Sequence, residues 1–580
     1  RLSDEQRFLV LCVVTGLLCG LAAVAFHFAI HHLFEALWHF ASHSPPLVFT
    51  LTLLLAPTLA GLAVGLVVTK IAPDAAGSGI PQTKVAYHNR GGKISTFTGL
   101  WRFVIGSLYV GLGNSLGREG PTVHVSAAIS SRIGRWAFRD PRRVQAMLPV
   151  GMAAGIAAAF NAPLSALTFV FEELLDNFSM KALGGMVVAV VIAAAVSRTI
   201  LGEDPILDTH LISDYATSPW MLVAIPLGIT AGLLGHLFSS SVLKLRELNR
   251  RSPLPRWLSP ALGGLSCGIL GLIAWHLTAG FGQAQNSIFS IGYESLELAF
   301  ENKLAIAVLA LLLLFKTLAV IINYASGGSG GLFSPTLYLG GMLGGLVGAA
   351  LAEAHEVLTW LPAFPADDKV IGACVLLGMG AMFSAVVRCP FTSLIIIFEL
   401  TGNYSLILPL MAGNILAYSF AKKLGPSSIY TALIMQDGIT LRSFPAYRGA
   451  QDYRKLPLQA IMTHDPFTLP YQGSTGHSLA LVNGTRQRYH AYPIVDIDNQ
   501  LKGVITLHEL REHPPETKIS ELIGAQELLS FHPDTSIREA ARAMIEHDYQ
   551  QAPVVSKSSP TKLLGWITMN DIARQQNAVE

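Results

Sequence analysis

Long apolar segments follow one another through the first three quarters of the chain, separated by short polar connections. A single helix needs about 17 to 25 mostly apolar residues to cross the hydrocarbon of a bilayer. Several segments approach that length, and they cover residues 8–30, 47–68, 183–196, 221–238, 304–322 and 406–421. A membrane anchor needs only one such segment, so the pattern predicts an all-α polytopic membrane protein.

Composition strengthens this prediction and narrows the function. Hydrophobic residues make up 51% of the 580 positions and charged residues only 13%, against about 25% charged in soluble proteins. The net charge is +2 and no basic stripe is evident, so nucleic acid is not expected as a partner. The five cysteines lie scattered in apolar stretches, without the spacing of metal ligands. No nucleophile, metal cluster or phosphate loop is apparent at membrane depth, so neither an enzyme nor a bound metal is expected.

The pattern changes near residue 442, where mixed, charged sequence replaces the apolar runs. Such a shift in composition is typical of a domain boundary. We therefore expect a transmembrane domain over 1–441, a linker over 442–456 and a tail over 457–580.

The tail repeats itself. Two pairs of segments match, namely 489–495 with 549–555 and 503–509 with 565–571. The repetition predicts two small α/β modules, over about 457–512 and 517–576, each with the order helix, strand, strand, helix. We expect the modules to bury their apolar faces against each other.

The transmembrane domain also contains a repeat. Identical residues recur at an offset of 227 positions, including Pro163 and Pro390, and Glu172 and Glu399. A second match relates residues 117–122 to 331–336. We expect two inverted halves, over about 1–210 and 215–441. Transporters made of such repeats hold their substrate between the halves, near the bilayer midplane.

Three Gly- and Pro-rich segments interrupt the apolar sequence, and such backbone is tolerated at membrane depth only where it is buried or lines a cavity. They are a first loop segment of Gly77, Ser78, Gly79, Ile80 and Pro81, a second of Gly117, Arg118, Glu119, Gly120 and Pro121, and a third of Gly330, Gly331, Leu332, Phe333, Ser334 and Pro335. In each segment the proline suits the first turn of a helix. Helix amino termini bind anions, so three of them at one point would hold an anion without a fixed cation. The alternative is that the segments are helix breaks required only by packing.

Glu119 is a candidate for proton handling. A charged side chain at the bilayer centre costs at least about 2.5 kcal/mol, so an ionisable residue there indicates a function. Because a helix amino terminus attracts anions at this point, the ionised carboxylate can take the anion's place and the protonated form can leave. The alternative is a salt bridge to the adjacent Arg118.

Comparison of the two halves identifies a second glutamate. Glu172 has a counterpart in Glu399, which indicates a structural role for Glu172. Glu173 aligns with Leu400 instead. The lack of a counterpart makes Glu173 the second candidate for proton handling.

The loop segments GSGIP, GREGP and GLFSP, in this order and followed by Tyr430 in IYTALI, resemble the CLC chloride channels and exchangers over residues 8–434. The resemblance implies the CLC fold and a central chloride held by the Ser78 hydroxyl, the Tyr430 phenol and the backbone N–H groups of Leu332 and Phe333. The other residues at the helix termini of that site would be Gly77, Gly79, Ile80, Pro81, Arg118 and Gly120. In this family, serine in the first loop segment is associated with a preference for chloride, whereas proline there is associated with a preference for nitrate. Without the other motifs, Tyr430 would be interpreted as an interfacial aromatic residue.

The resemblance also assigns roles to the two glutamates. Glu119 matches the gating glutamate that takes protons from the outer side, and Glu173 matches the inner proton glutamate, which channels mostly replace. The two together favour chloride/proton antiport, by a homodimer with one pathway per chain. The chain departs from some bacterial exchangers at Gln82, Lys84 and Asn177, where those proteins carry acidic or longer side chains along the inner proton route.

The tail modules resemble a pair of cystathionine-beta-synthase-type (CBS) domains. In that family a hydroxyl and a carboxylate at positions i and i+3 bind the ribose of an adenine nucleotide. The matching pairs are Thr506 with Glu509 and Thr568 with Asp571, so the resemblance implies an optional site for ATP, ADP or AMP. If only one module binds, the second is expected to do so. The same spacing forms a capping box at a helix start, and the alternative is therefore a purely structural tail.

These observations predict a chloride/proton antiporter with no required cofactor. The first alternative is a passive voltage- or pH-gated chloride channel. The more distant one is a nucleotide-regulated cation transporter, which the scarcity of acidic residues in the loop segments disfavours. Basic residues in the connections 139–143 and 246–256 mark cytoplasmic faces by the positive-inside rule. The resemblance implies a multi-pass protein of the plasma (inner) membrane, if bacterial, with a cytoplasmic tail.

Overall fold

The computed structural model describes residues 4–175, 180–202, 222–357, 368–439, 441, 456–485, 489–523, 528–557 and 559–579. Contacts divide the chain into two units, Arg1–Leu441 and Arg442–Glu580. Within the described ranges the first unit is built of helices, and every named strand belongs to the second.

The helices of the first unit are α1 (Asp4–Ser42), α2 (Pro46–Lys70), α3 (Ile80–Asn89), α4 (Thr96–Gly111), α5 (Glu119–Ala137), α6 (Pro141–Phe160), α7 (Pro163–Phe169), α8 (Met180–Leu201), α9 (Ala224–Arg251), α10 (Ser259–Ala279), α11 (Tyr293–Phe300), α12 (Ile306–Ala325), α13 (Phe333–Val357), α14 (Asp368–Val387), α15 (Pro390–Thr401), α16 (Ile407–Leu424) and α17 (Ile429–Gln436). A π-helical turn, Val170–Leu175, continues α7. Short 3₁₀ turns at Pro73–Ala75 and Tyr404–Leu406 precede α3 and α16.

Ten helical spans in the described part of the chain are long and apolar enough to cross a membrane. They lie in α1, α2, α6, α8, α9, α10, α12, α13 and α14 and in residues Tyr404–Gln436. Each apolar segment predicted from the sequence falls mainly in one of these spans, except that residue 221 lies outside the described residues. Glycine-rich sequence lowers the mean hydropathy of α6, α10 and α13 to 1.3, 1.5 and 1.4, which is why these spans are less conspicuous in the pattern.

Close helix packing depends on glycine at defined contacts. Helix α13 packs along α14, and α2 packs along α10. A Cβ atom added at Gly344 of α13 would lie 2.0 Å from the carbonyl oxygen of Cys374 on α14, and one added at Gly264 of α10 would lie 2.1 Å from the carbonyl oxygen of Pro57. Small residues that let backbones approach in this way are the usual interface between membrane helices.

The two halves of the first unit cap each other's helices. The Glu399 carboxylate on α15 accepts hydrogen bonds from the backbone N–H groups of Leu164 and Ser165 at the start of α7, both at 2.7 Å. Reciprocally, the Glu172 carboxylate accepts from the backbone N–H groups of Phe391 and Thr392 at the start of α15, at 3.2 and 2.7 Å. The two sets of hydrogen bonds involve equivalent residues, which lie 227 positions apart in the sequence. Such reciprocal contacts are expected of two halves related by a local two-fold axis. The structural role predicted for Glu172 is confirmed, and Glu399 has the same role in the other half.

The second unit contains α18 (Thr475–Gly484), α19 (Leu507–Glu512), α20 (Ile519–Leu522), α21 (Ile537–Glu546) and α22 (Met569–Val579), with strands β1 (Leu469–Pro470), β2 (Ala491–Val495), β3 (Leu501–Thr506), β4 (Gln551–Val555) and β5 (Leu563–Thr568). One sheet has the order β1-β2-β3, with β1 parallel and β3 antiparallel to β2, and the other is the antiparallel pair β4-β5. The predicted order of helix, strand, strand, helix is present in both modules.

The two tail modules are joined through their apolar faces and their backbone. Val495 and Leu501 of the first module pack with Val555 and Leu563 of the second in one buried cluster. The backbone N–H of Leu501 donates to the carbonyl oxygen of Thr561 at 2.6 Å. Burial of one module against the other, as predicted, is therefore confirmed.

Candidate functional site

The first loop segment turns sharply before α3. Gly77 and Gly79 have φ angles of 70° and 91°, a left-handed region that favours glycine. Pro81 occupies the first turn of α3, as expected from the sequence. Arg102, fully buried on α4, donates to the carbonyl oxygens of Gly77 at 2.8 Å and Ala76 at 3.0 Å. This arginine fixes the loop, and the sequence pattern did not identify it.

The second and third loop segments are joined by two backbone hydrogen bonds. The N–H of Gly117 donates to the carbonyl oxygen of Gly331 at 2.8 Å, and the N–H of Gly331 donates to that of Gly117 at 2.6 Å. A Cβ atom added at Gly120 would lie 2.5 Å from Ser78 Oγ and 3.1 Å from Gly331 Cα. All three segments therefore meet at Gly120, and the expected convergence is confirmed.

Two buried hydroxyl groups, that of Ser78 at this meeting point and that of Tyr430 on α17, have no hydrogen-bond partner among the described residues. Ser78 and Tyr430 are both fully buried, and Ser78 Oγ and Tyr430 Oη are unpaired. Tyr430 lies in the first turn of α17, which packs against α3. An unpaired buried hydroxyl costs about 1 to 3 kcal/mol, so two hydroxyl donors here are arranged for a partner other than the protein.

Phe333 is the first residue of α13, and Leu332 directly precedes it in the third loop segment. Both are buried, and the Phe333 ring packs against Phe383 and Phe160 with centroid distances of 4.4 and 4.6 Å. The first N–H groups of a helix have no acceptor within that helix. The start of α13 therefore presents backbone donors from a rigid, aromatic-packed position.

Glu119 is 1% exposed and begins α5. Its Oε1 accepts a hydrogen bond from the Tyr293 hydroxyl at 3.0 Å. Arg118 Nε lies 3.9 Å from Oε1, and the Arg118 guanidinium donates to the carbonyl oxygen of Ala159 at 3.2 Å. A tight salt bridge to Arg118 is therefore not formed. Tyr293 was not identified from the sequence, where the only signal is an aromatic residue directly after Gly292.

Glu173 is 3% exposed in the π-helical turn. Its Oε1 lies 3.0 Å from Lys84 Nζ, in a buried ion pair. The same Nζ is 3.5 Å from Thr431 Oγ1, on the residue next to Tyr430. Lys84 therefore joins the candidate inner glutamate to the helix that carries the Tyr430 phenol. The sequence marked Lys84 as a departure without showing its partner, and Asn177 lies outside the described residues.

In the tail, both candidate nucleotide pairs form capping boxes. Glu509 N–H donates to Thr506 Oγ1 at 3.1 Å and Glu509 Oε2 accepts from Thr506 N–H at 2.7 Å. Asp571 and Thr568 make the same two bonds at 3.1 and 3.0 Å. A recess beside Glu509 has a volume of about 60 Å³, whereas pockets for small ligands hold about 300 to 1,000 Å³. The helix-capping alternative is thus realised in both modules, and nucleotide binding stays a prediction.

Repeated membrane halves that meet at helix amino termini, with unpaired buried hydroxyls and a buried carboxylate beside them, define a polytopic transporter of anions. The profile of the voltage gated chloride channel family matches residues 60–422, and the CBS domain profile matches residues 458–516 and 519–577. This chain belongs to the voltage gated chloride channel family and carries a CBS pair in its tail. Both resemblances stated from the sequence are confirmed.

Relatives within the family support the same assignment. The chain is 32% identical over 454 residues to the H⁺/Cl⁻ exchange transporter ClcA of Salmonella paratyphi B, a match that covers 75% of this chain and 89% of the relative. A slow cyanobacterial Cl⁻/H⁺ antiporter of known structure shares 28% identity and a TM-score of 0.65, over 75% of this chain and 99% of that chain. A eukaryotic CLC transporter, at 18% identity and a TM-score of 0.66, covers 97% of this chain and 98% of its own, and so shows the shared fold.

Proposed function

We propose that this chain exchanges chloride for protons across a membrane. The observation that carries the proposal is the meeting of three loop segments at the unpaired Ser78 hydroxyl, with the Glu119 carboxylate at the start of α5 in the second segment. The unpaired Tyr430 phenol lies on α17, which packs against α3. The relatives described as H⁺/Cl⁻ exchangers support this function over other anion transport.

Chloride binding at this point follows from dipoles and hydrogen-bond donors. Helix amino termini carry a partial positive charge of about half an elementary charge, and the N–H groups there point at the anion. The one fully buried arginine at the first loop segment, Arg102, donates to backbone carbonyl oxygens. Arg118 of the second loop segment likewise donates to a backbone carbonyl oxygen, that of Ala159. Because backbone oxygens engage both arginines, the anion is held chiefly by helix dipoles and hydrogen-bond donors and can be released.

Glu119 couples anion movement to protons. An ionised carboxylate at the start of α5 competes with chloride for the same electropositive position, whereas a protonated carboxyl has no such attraction. Protonation of Glu119 therefore allows chloride to take the position that the carboxylate occupied. When the proton that Glu119 accepts from the outer side is passed inward to Glu173, the carboxylate forms again and displaces chloride.

Glu173 is the inner proton acceptor in this proposal. Its burial and its isolation from a symmetric counterpart support that role. The Glu173 carboxylate lies 3.0 Å from Lys84 Nζ in a buried ion pair. Proton transfer through Glu173 therefore requires the ion pair to loosen, and this step is the one most sensitive to residue 84.

The same ion pair supports a second candidate function, a passive chloride channel. If Lys84 holds Glu173 ionised throughout, protons do not pass inward and chloride moves alone. The two functions differ in one observable quantity, which is proton movement against its own gradient.

The experiment is proton uptake by proteoliposomes of the purified full chain, driven only by an outward chloride gradient. Chloride efflux is recorded on the same sample, and Glu173→Gln serves as the comparison. We expect uphill proton uptake in the wild type and none in the variant. Chloride efflux without proton movement in the wild type would establish the channel, and no chloride flux would refute anion transport.

We further propose that the tail binds an adenine nucleotide, at the second module if only one site is used. The CBS pair and the hydroxyl and carboxylate of Thr568 and Asp571 support this proposal. Calorimetry of the full chain with ATP, ADP and AMP tests it, because Asp571→Asn keeps a capping group but removes the charge. We expect at least a tenfold loss of affinity in Asp571→Asn and little change in Glu509→Gln. No binding of any of the three nucleotides by the wild type would show a structural tail.

A homodimer with one pathway per chain is also proposed. All the candidate site residues of the pathway lie within a single chain, so a second copy is not needed to complete a site. Basic residues at the end of α9 and between α5 and α6 support a cytoplasmic face there, with the tail in the cytoplasm and, if the source is bacterial, the protein in the plasma (inner) membrane. Light scattering of the detergent-solubilised protein tests the dimer.

A further inference from the structure

Tyr293 joins the second and third loop segments through its hydroxyl group. The phenol donates to Glu119 Oε1 at 3.0 Å and lies 3.3 Å from Ser334 Oγ. Glu119 is 1% exposed, whereas Tyr293 is only half-buried. The tyrosine is therefore the more exposed of the two residues, and it directly contacts the group that the proposed exchange depends on.

The position of Tyr293 is fixed by buried interactions behind it. Lys316 is fully buried on α12 and donates to the carbonyl oxygens of Ser287 at 2.7 Å and Ser290 at 2.8 Å. Gly292, the residue before Tyr293, has a φ angle of 88° and caps α11. A Cβ atom added there would lie 3.2 Å from Lys316 Nζ. The connection before α11 is thus held by a lysine of another helix, and the phenol is held with it.

The charged and titratable groups around Glu119 are few. On its own helix end there is Arg118 Nε at 3.9 Å. Tyr293 of α11 and Tyr430 of α17 are the phenols that interact electrostatically with this carboxylate. Farther along α5 and α4 lie the buried His124 and Arg102, of which Arg102 is engaged by backbone carbonyls. Of these groups, only the Tyr293 phenol makes a hydrogen bond to Glu119 among the described residues.

We propose that Tyr293 is a positioning residue that holds the ionised Glu119 carboxylate in the pathway and so sets the pH at which the pathway opens. A hydrogen bond to a carboxylate is stronger than one to a neutral carboxyl group. Protonation of Glu119 therefore weakens its attachment to Tyr293 at the moment when the side chain must leave. This inference rests on the proposed role of Glu119 as the gate.

Removal of the Tyr293 hydroxyl should raise the pH at which the pathway opens. In Tyr293→Phe the ionised carboxylate loses its donor, whereas the protonated form loses less. The protonated, open form is then reached at higher pH. A hydrogen bond to a charged group corresponds to a shift of roughly one to two pH units in the midpoint of opening.

The test is the pH profile of chloride efflux from proteoliposomes, from about pH 4 to pH 8, for the wild type, Tyr293→Phe, Glu119→Gln and the double variant. Tyr338→Phe is the matched control, since Tyr338 is buried nearby and its hydroxyl pairs with Ser287. We expect the Tyr293→Phe midpoint to move up by at least one pH unit, with several-fold more efflux at pH 7. The wild-type and Tyr338→Phe profiles should coincide.

The Glu119→Gln variants distinguish the role of Tyr293 from the role of Glu119. In Glu119→Gln we expect chloride efflux that does not depend on pH, and adding Tyr293→Phe should not change that efflux. A Tyr293→Phe profile that coincides with the wild type, or a shift of equal size in the Glu119→Gln background, would overturn the role of Tyr293. A Glu119→Gln protein that keeps the wild-type profile would instead overturn the gate itself. A lower thermal unfolding temperature with an unmoved midpoint would show that Tyr293 is only structural.

Discussion

At the scale of single residues, the site is defined by polar groups that the protein leaves without partners. The hydroxyls of Ser78 and Tyr430 are fully buried and unpaired among the described residues. The buried hydroxyls of Thr15, Ser115 and Ser126 in the same unit are also unpaired, whereas that of Ser107 donates to the carbonyl oxygen of Phe103. Ser78 differs from the other unpaired groups because its hydroxyl lies where the three loop segments meet. An unpaired hydroxyl at the meeting point of the three segments indicates a site for an anion at the first loop segment.

Removal of the Ser78 hydroxyl should weaken chloride binding. A hydrogen bond to a charged partner contributes about 1.5 to 3 kcal/mol, so we expect Ser78→Ala to raise the chloride dissociation constant at least tenfold, as measured by calorimetry. Ser107→Ala is the matched control and should leave it unchanged. Equal chloride affinity in wild type and Ser78→Ala would place the anion elsewhere.

Serine at this position should also set the choice of anion. We expect Ser78→Pro to raise nitrate transport relative to chloride, because the variant loses the hydroxyl donor and keeps the helix amino terminus. The measurement is efflux of each anion from the same proteoliposomes. An unchanged ratio of the two rates would show that residue 78 does not select the anion.

The Lys84–Glu173 ion pair makes a prediction about stability. Removal of one partner of a buried pair costs about 3 to 5 kcal/mol, whereas removal of both costs much less. We therefore expect Lys84→Met to lower the thermal unfolding temperature of the detergent-solubilised protein, and Lys84→Met with Glu173→Gln to restore most of it. Additive losses in the double variant would mean that the two side chains do not interact.

The sequence predicted individual site residues where a motif carried them, and it failed where a contact joins distant positions. Ser78, Glu119 and Tyr430 belong to recognisable motifs, and the structure brings their segments together. Tyr293 lies 174 positions from Glu119, and Lys84 lies 89 positions from Glu173. Neither the hydrophobic periodicity nor the motif spacing predicts these two contacts, because the residues become neighbours only in the folded chain.

At the scale of helices, each half of the membrane unit stabilises the other through reciprocal caps. The amino ends of α7 and α15 receive carboxylates from Glu399 and Glu172. A carboxylate at a helix amino terminus satisfies free N–H groups and complements the helix dipole. The caps hold the two repeated helices in register across the interface between the halves.

Loss of either cap should have the same effect. We expect Glu172→Gln and Glu399→Gln each to destabilise the fold by about 1 to 2 kcal/mol, with the ratio of chloride to nitrate transport unchanged. Glu247→Gln is the control, because Glu247 pairs with Arg251 on the exposed end of α9. A large loss in one variant and none in the other would contradict the reciprocity.

The glycine contact between α13 and α14 limits substitution at Gly344. A Cβ atom there would lie 2.0 Å from the Cys374 carbonyl oxygen, so we expect Gly344→Val to abolish folded protein in size-exclusion chromatography. Gly184→Ala of α8, where an added Cβ atom meets nothing within 4 Å, should express normally. Normal yield of Gly344→Val would show that the helices can separate without loss of the fold.

Element positions were more predictable than element details. Apolar length identified the main spans, and the prolines of the loop segments identified the starts of α3 and α5. The π-helical turn that carries Glu173 was not predicted, because one inserted residue per turn leaves no mark in the hydrophobic pattern. The capping boxes of the tail were foreseen only as one of two alternatives.

At the scale of the whole molecule, a membrane unit of repeated halves carries the anion site, and a tail of repeated CBS modules follows it. Both units consist of two similar copies that pack against each other, namely the two halves of the membrane unit and the two CBS modules of the tail. The membrane unit leaves polar groups at its central meeting point, whereas the tail meeting point between β3 and β5 is apolar. Transport therefore belongs to the first unit, and the second is suited to a regulatory or structural role.

Exchange of chloride for protons through Glu119 is tested most directly by recording both fluxes on the same proteoliposomes of the wild type and Glu119→Gln. We predict a fixed ratio of chloride to protons in the wild type at every gradient. In Glu119→Gln we predict that chloride still moves and proton transport is lost. Proton transport that persists in Glu119→Gln at the wild-type ratio would contradict a gate at Glu119.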